Sequence, residues 1–162
     1  LRARKHFLKT SYDSPNQHAQ FGIAQGGLDL NLRKKSAEQI VEIGFDGYAI
    51  GGLSVGETRE EMLDPMKESV KYLPRERPRY FMGLGEPAGL VEAIFSGIDM
   101  FDCVWPTRLA RHGTALTMEG RINLSAARYA KSDEPIDPNF ADIETCQFLE
   151  LPYHSQFCFI YI

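Results

Sequence analysis

The sequence is poor in cysteine and has no long uncharged apolar run. Its three cysteines, Cys103, Cys146 and Cys158, are odd in number and far apart, which argues against the disulfide framework of a small secreted protein. The longest apolar stretches are far shorter than the roughly 20 residues that a membrane-spanning helix requires. We therefore expect a reducing, cytoplasmic location and no membrane partner.

Two further features are missing. The chain begins at Leu1 with no charged-then-apolar leader, so we expect a piece of a longer protein. It also lacks a G-x-G-x-x-G pattern and a phosphate-cradling lysine motif, and Gly83 with Gly85 is too short a substitute. What is present, 162 residues with 43% hydrophobic and 25% charged content, is enough for one globular domain with a core.

Charge is distributed unevenly along the chain. The net charge is -4, yet residues 104–131 carry five basic residues against one acid, a net of +4. This segment could bind a polyanion locally.

Four short apolar segments predict β-strands, at residues 21–25, 47–50, 79–82 and 98–104. The first three end in glycine and precede segments with helical spacing, at residues 31–43, 58–72 and 88–96. Repeated βα units predict a parallel sheet, either covered on both faces by helices or closed into a barrel. In either case the functional site is expected at the carboxyl ends of the strands.

The pattern changes after Pro106. Residues 115–118 and 121–124 predict a β-hairpin with a glycine-containing turn, and a short helix is expected from Ser125. Residues 132–139 predict a loop, and the last residues form an uncharged, β-prone tail.

Asp102 is the candidate that matters most for chemistry. It ends the fourth predicted strand, which we expect to be buried, and a buried carboxylate needs hydrogen-bond partners. It is either a structural aspartate bonded to backbone amides or a nucleophile or acid/base group at the mouth of an α/β fold. A proline turn follows, with Arg108 and Arg111 either solvated or placed for an anionic substrate.

Other polar and glycine residues fall at the same predicted sheet edge. Gln25 could read a nucleobase edge or be structural. Gly51 and Gly52 could admit a planar ligand or simply make a tight turn, as could Gly26 and Gly27. Met82 could cover a flat ring or belong to the core.

Three runs of residues then carry a family resemblance. The runs 21–27, 44–57 and 99–103, with Pro106, Thr107, Arg108 and Arg111, resemble the tRNA-guanine transglycosylases in order and spacing over residues 1 to about 139. These enzymes exchange the wobble guanine of certain tRNAs for a 7-deazaguanine base in queuosine biosynthesis. The resemblance implies a (β/α)8 TIM barrel, of which this chain is a partial barrel, about strands five to eight, followed by a β-hairpin and a degenerate zinc-insertion region. The implied domains are residues 1–139, the second half of the barrel, and 140–162, a zinc-subdomain remnant with an atypical tail.

The resemblance also assigns roles. Asp102 corresponds to the catalytic nucleophile that attacks ribose C1′. The partners that the resemblance implies for the protein are the tRNA anticodon loop and the incoming 7-deazaguanine base. The residues corresponding to the base-binding site are Gln25, Gly52, Leu53, Met82 and Gly83. Those corresponding to tRNA contacts are Gly83, Leu84, Gly85, Glu86, Pro87, Ala88, Gly89, Thr107, Arg108, Leu109, Ala110 and Arg111.

Other family features are altered or fall elsewhere. Val55 before Gly56 and Glu57 resembles the bacterial form, which takes preQ1, whereas the eukaryotic form takes queuine and usually has a glycine there. The family binds zinc, but only Cys146 of its three cysteines is present, so we expect no metal in this chain. The general-base aspartate is expected outside this chain, and the family homodimer is an expectation for the whole protein.

Two alternative functions stay open. One is a non-catalytic tRNA-binding partner subunit of the same family, which would lack the nucleophile. The other is an unrelated barrel enzyme acting on a phosphorylated metabolite, disfavoured because no extended glycine-rich phosphate loop follows the third or fourth strand.

Overall fold

A computed structural model describes residues 1–9, 18–117, 120–130 and 132. The chain divides into two compact units, Leu1–Val104 and a second that begins at Trp105. Each unit is described by itself.

The first unit is a parallel α/β sheet with helices. Its strands are β1 (Phe21–Ala24), β2 (Gly47–Ile50), β3 (Arg79–Met82) and β4 (Met100–Asp102), and its helices are α1 (Arg2–Lys9), α2 (Leu30–Ile43), α3 (Arg59–Tyr72) and α4 (Pro87–Phe95). The strands are parallel and lie in the order β1-β2-β3-β4. The predicted βα units are thus confirmed, and strands that are neighbours in sequence are also neighbours in the sheet.

Each βα helix begins at a side chain that accepts backbone hydrogen bonds. Asp29 caps α2 by accepting from the N–H groups of Asn31 and Leu32. Thr58 and Glu61 form a capping box at α3, and Glu86 accepts from Ala88 and Gly89 at α4. These caps satisfy amides that a helix leaves unpaired, so they fix where each strand-to-helix loop ends.

Within the described residues, the helices and the sheet share a core on one face of the sheet. Ala24, Tyr48, Ile50 and Phe81 from the strands pack with apolar residues of the helices, including Ala37, Met62, Met66, Val70 and Ala93. The alternate residues of the strands lie on the other face, where Ile23 is 41% and Met100 44% exposed. In the described part of the chain, helices therefore cover one face of a sequentially ordered parallel sheet.

Charged groups fix the amino ends of the strands. Asp46 accepts two hydrogen bonds from the Arg4 guanidinium, at 2.8 and 3.1 Å, and one from the Gln20 N–H. These bonds lower the pKa of Asp46, and those from the Arg4 guanidinium have the larger effect. The buried Arg79 donates to the carbonyl oxygens of Leu73, Pro74 and Gly97, and so joins the loops before β3 and β4.

The fourth strand differs from its prediction. It is shorter than residues 98–104, and Met100 and Asp102 are exposed, so the expectation of a buried strand with a buried carboxylate is wrong. Among the described strands β4 pairs with β3 alone, and its alternate residues lie on the face that no helix covers. Apolar composition alone does not reveal which face of a strand is covered.

The second unit contains α5 (Trp105–Arg111) and an antiparallel hairpin of β5 (Thr114–Thr117) and β6 (Gly120–Asn123). The hairpin is confirmed, one residue earlier than predicted. A helix replaces the expected proline turn, because proline is well tolerated in the first turn of a helix. A 3-10 turn at Ala127–Tyr129 stands where a helix was predicted. Residues 133–162, with Cys146 and the domain boundary near 139, lie outside the described residues.

Candidate functional site

A cavity of about 360 Å³ opens at the carboxyl ends of the strands. It is lined by Ile23, Gln25, Gly51, Gly52, Leu53, Ser54, Val55, Met82, Gly83 and Asp102. All six residues predicted to form the catalytic and base-binding site are in this set. Their meeting follows from the parallel sheet, which places the ends of successive strands at one edge.

Asp102 lines the cavity, and one of its two carboxylate oxygens accepts hydrogen bonds. The Tyr80 hydroxyl donates to its Oδ1 at 2.5 Å, and the Gly83 N–H donates to the same oxygen at 3.0 Å. Gly83 has a φ of +84°, which glycine adopts readily. In the described part of the chain Oδ2 accepts no hydrogen bond, so one oxygen orients the group and the other stays available.

Tyr80 was not identified from the sequence. In the β3–β4 register Met82 pairs with Asp102, and Tyr80 lies two residues before Met82 on the same face. Its ring makes an edge contact with Phe21 at 6.4 Å between centroids. The hydrogen bond to Asp102 raises the pKa of Tyr80, which keeps the phenol protonated as a donor. Only the register between these two neighbouring strands could have revealed the pair.

Gln25 lies against the glycine pair that follows β2. A Cβ added at Gly51 would lie 2.7 Å from Gln25 Nε2, and one at Gly52 would lie 2.5 Å from Gln25 Oε1. Any larger residue would displace the Gln25 amide, and the φ of +66° at Gly52 also favours glycine. Among the described residues this amide makes no hydrogen bond, so its donor and acceptor are available to a ligand.

Arg33 on α2 is a second residue missed by sequence reasoning. It is fully buried, and its guanidinium donates to backbone carbonyls of the loops that follow β1 and β2. Burial lowers the pKa of Arg33, an effect that the Glu57 carboxylate opposes. In the sequence it precedes Lys34 and Lys35 on an amphipathic helix, a context typical of solvated residues, so no signal marked it.

The loop after Leu53 is fixed by Glu57. Its carboxylate accepts from the N–H groups of Ser54 and Val55, the latter at 3.1 Å. Although desolvation opposes it, hydrogen bonding from backbone amides lowers the pKa of Glu57. Val55, which is 80% exposed, lines the cavity on this loop.

The predicted tRNA-contact residues fall in two places. In the segment Gly83 to Gly89, Leu84 is only 3% exposed and belongs to the core, so any contact from it would come from its backbone. Thr107, Arg108, Leu109, Ala110 and Arg111 lie on α5 in the second unit, where both arginines are exposed. Contact of either segment with RNA stays a prediction.

The described residues contain no group of three or more His, Cys, Asp or Glu that could hold a metal ion. The family's zinc ligands do not fit this chain either, because Ala141 and Ile143, or Phe140, stand where cysteines would accompany Cys146. In the same described ranges, none of the helices has the length and apolar character needed to cross a bilayer.

The fold and the cavity together define a class of protein. It is an α/β protein whose site, at the carboxyl edge of a parallel sheet, combines one oriented carboxylate with amide and peptide groups for a small ligand.

Comparisons with known proteins identify the family. The sequence model described as Queuine tRNA-ribosyltransferase matches residues 1–155. The chain belongs to this family.

Curated relatives carry the same name. A Queuine tRNA-ribosyltransferase of Solidesulfovibrio magneticus is 56% identical over 118 residues, 73% of this chain and 32% of the relative. One of Thermotoga neapolitana is 56% identical over 129 residues, 80% of this chain and 35% of the relative. One of Halothermothrix orenii is 49% identical over 139 residues, which are 86% of this chain and 37% of the relative. The chain therefore spans about a third of the length of these relatives.

Proposed function

We propose that this chain supplies the nucleophile and part of the base-binding site of a ribosyltransferase that exchanges the wobble guanine of tRNA for a 7-deazaguanine. The observation that carries this proposal is the Asp102 carboxylate, oriented through Oδ1 and available at Oδ2, in one cavity with Gln25, Gly52 and Leu53. A carboxylate that attacks a sugar carbon and a cleft with hydrogen-bonding groups for a base are two of the parts that this reaction needs.

The reaction balances with two displacements at ribose C1′. Asp102 Oδ2 forms a bond to C1′ as the bond from C1′ to guanine N9 breaks, and guanine leaves after gaining a proton. The incoming 7-deazaguanine then loses a proton from its ring nitrogen and displaces Asp102 from C1′. Two inversions give net retention, as in retaining glycosidases. The acid/base group is assigned to a part of the protein outside this chain.

The hydrogen bonds to Asp102 would assist the second displacement. In the covalent ester Oδ1 is the carbonyl oxygen, and negative charge returns to the carboxyl group as Asp102 leaves. The Tyr80 hydroxyl and the Gly83 N–H are already directed at this oxygen, so they stabilise that charge without rearrangement.

The finer features of the proposal come from the family. They comprise strands five to eight of a (β/α)8 barrel, the tRNA anticodon loop as partner, the family homodimer, and preQ1 as the preferred base. Val55 supports preQ1 because its side chain lines the cavity, whereas a glycine there would leave more room. No step of the proposal uses zinc.

The test is Asp102→Asn in a chimera in which the part of this chain that aligns over 139 residues with the Halothermothrix orenii relative replaces the matching segment of that relative. We expect labelled-guanine exchange to fall by about a thousandfold or more, as loss of a covalent nucleophile does in other enzymes. The trapped tRNA adduct should disappear while tRNA binding persists. Asn keeps the shape and the Oδ1 acceptor, so the loss would report the missing nucleophile.

Asp99→Asn is the matched control. Asp99 accepts from the Arg79 N–H at the amino end of the sheet and does not line the cavity. Its substitution should leave exchange unchanged. Undiminished exchange in Asp102→Asn would remove Asp102 as the nucleophile, whereas an unsubstituted chimera that binds tRNA without exchanging guanine would favour a non-catalytic tRNA-binding subunit.

A further inference from the structure

The Arg33 side chain connects the loops that follow two neighbouring strands. Its Nε donates to the Gly27 carbonyl at 2.7 Å, in the loop after β1. Its Nη1 donates to the carbonyls of Ala24 and Gly51, at 3.3 and 2.7 Å, and its Nη2 to Gly52 at 3.0 Å. One rigid guanidinium thus fixes four carbonyl groups across the β1 and β2 ends.

This arrangement is costly unless it serves a fixed geometry. Arg33 is fully buried and within the described residues forms no ion pair, so carbonyl dipoles are its direct partners, and the Glu57 carboxylate acts on its charge without a direct contact. For a buried charge held by neutral acceptors, the free-energy cost of losing hydration exceeds the free energy gained from the new hydrogen bonds. Arginine is the side chain whose planar donors can hold several acceptors at set angles.

The fixed carbonyls determine where the adjacent N–H groups point. A trans peptide places its C=O and N–H on opposite sides. With the Gly51 and Gly52 carbonyls directed at Arg33, the N–H groups of Gly52 and Leu53 point away from it. Neither N–H has a protein acceptor in the described part of the chain, and both residues line the cavity.

We propose that Arg33 is a positioning residue for base recognition, which holds the Gly51 and Gly52 carbonyls so that the next two N–H groups face a bound base. This inference rests on the proposed function, because it takes the ligand of the cavity to be a purine-like base. Arg33 touches neither the base nor the sugar, and acts only through the loop.

Arg79 provides a matched control within the same fold. It is also a buried arginine that donates to loop carbonyls, those of Leu73, Pro74 and Gly97, but it lies at the amino ends of the strands. Arg33→Lys and Arg79→Lys therefore make the same chemical change at opposite edges of one sheet. Lysine keeps the charge but has a single nitrogen, which cannot reproduce the bonds that the three nitrogens of each guanidinium make.

The experiment measures both variants in the Halothermothrix orenii chimera. We expect Arg33→Lys to raise the KM for guanine about tenfold or more, with the KM for tRNA unchanged and kcat within about threefold, because only a base contact is lost. Arg79→Lys should leave all three constants unchanged while lowering the Tm. A merely structural role for Arg33 would lower the Tm and the active fraction without moving the KM for guanine.

Each of the other outcomes tests either the role of Arg33 or the proposed function. An equal KM for guanine in both variants would overturn the proposal. If Arg33→Lys shows no cooperative unfolding, Arg33→Met removes the buried charge at similar volume and must raise the same KM. Failure of both to fold would assign Arg33 to folding alone and overturn the proposal. A chimera that is inactive before any substitution overturns the proposed function itself, whereas an active chimera with an unmoved KM overturns only the role of Arg33.

Discussion

At the scale of single residues, the chemistry depends on a diagonal contact between neighbouring strands. Tyr80 and Asp102 lie on one face of the sheet, and both the Tyr80 hydroxyl and the Gly83 N–H donate to Asp102 Oδ1. This contact gives Asp102 two unequal oxygens, which a solvated aspartate would not have. The two donors matter most when charge returns to the carboxylate.

Tyr80→Phe tests that role. Removing a hydrogen bond to a charged group in the transition state should lower kcat about tenfold in the chimera. Because the second displacement loses the most, the trapped tRNA adduct should accumulate to a higher fraction than in the parent protein. The measurement is single-turnover exchange with adduct trapping.

Tyr48→Phe is the control for this change. The Tyr48 hydroxyl accepts from the Phe45 N–H at 3.2 Å, and Tyr48 lies in the core on the opposite face of the sheet. Its loss should lower stability and leave kcat unchanged. An unaltered kcat and adduct level in Tyr80→Phe would show that Gly83 alone orients the carboxylate.

At the scale of elements, the sequence predicted what local pattern controls. Glycine after the first three strands and helical spacing placed the βα units, and their carboxyl ends placed Gln25, Gly52 and Asp102 in one cavity. The contacts of Tyr80 and Arg33 join residues of different elements, so they depend on register and burial that local pattern does not specify. The exposure of β4 was missed for the same reason.

Helix α5 carries the prediction for RNA binding. Arg108 and Arg111 are three residues apart, a spacing that places them on one side of a helix, and within the described residues neither forms an ion pair. Replacing either with alanine in the chimera should weaken tRNA binding. The salt dependence should lose about one unit of slope for each phosphate contact removed.

Lys35→Ala on α2 is the control for this pair. Lys35 is exposed, and its loss removes the same charge from a helix that bears no predicted tRNA contact. Its binding curve should keep the parent slope in a titration from low to moderate salt. Equal slopes for all three variants would make Arg108 and Arg111 solvated surface residues.

At the scale of the whole molecule, one face of the sheet bears apolar side chains that the described helices do not cover. Ile23, Met82 and Met100 are between 36% and 44% exposed, and β1 and β4 each pair with one strand in the described sheet. Exposed apolar patches and unpaired strand edges favour association with other chains. In a closed barrel the same residues would form the interior.

The last prediction concerns the 162-residue chain on its own. We expect it to be dimeric or aggregated through this face and these edges, and inactive in guanine exchange although Asp102 is present, because the proposed acid/base group lies elsewhere. Size-exclusion chromatography and a labelled-guanine assay measure the two properties.

Met100→Lys places a charge at the edge strand and should shift the chain toward monomer without restoring exchange. The chimera should exchange guanine under the same conditions. A monomeric, active chain would contradict both the uncovered face as an association surface and the division of the site between this chain and the rest of the protein.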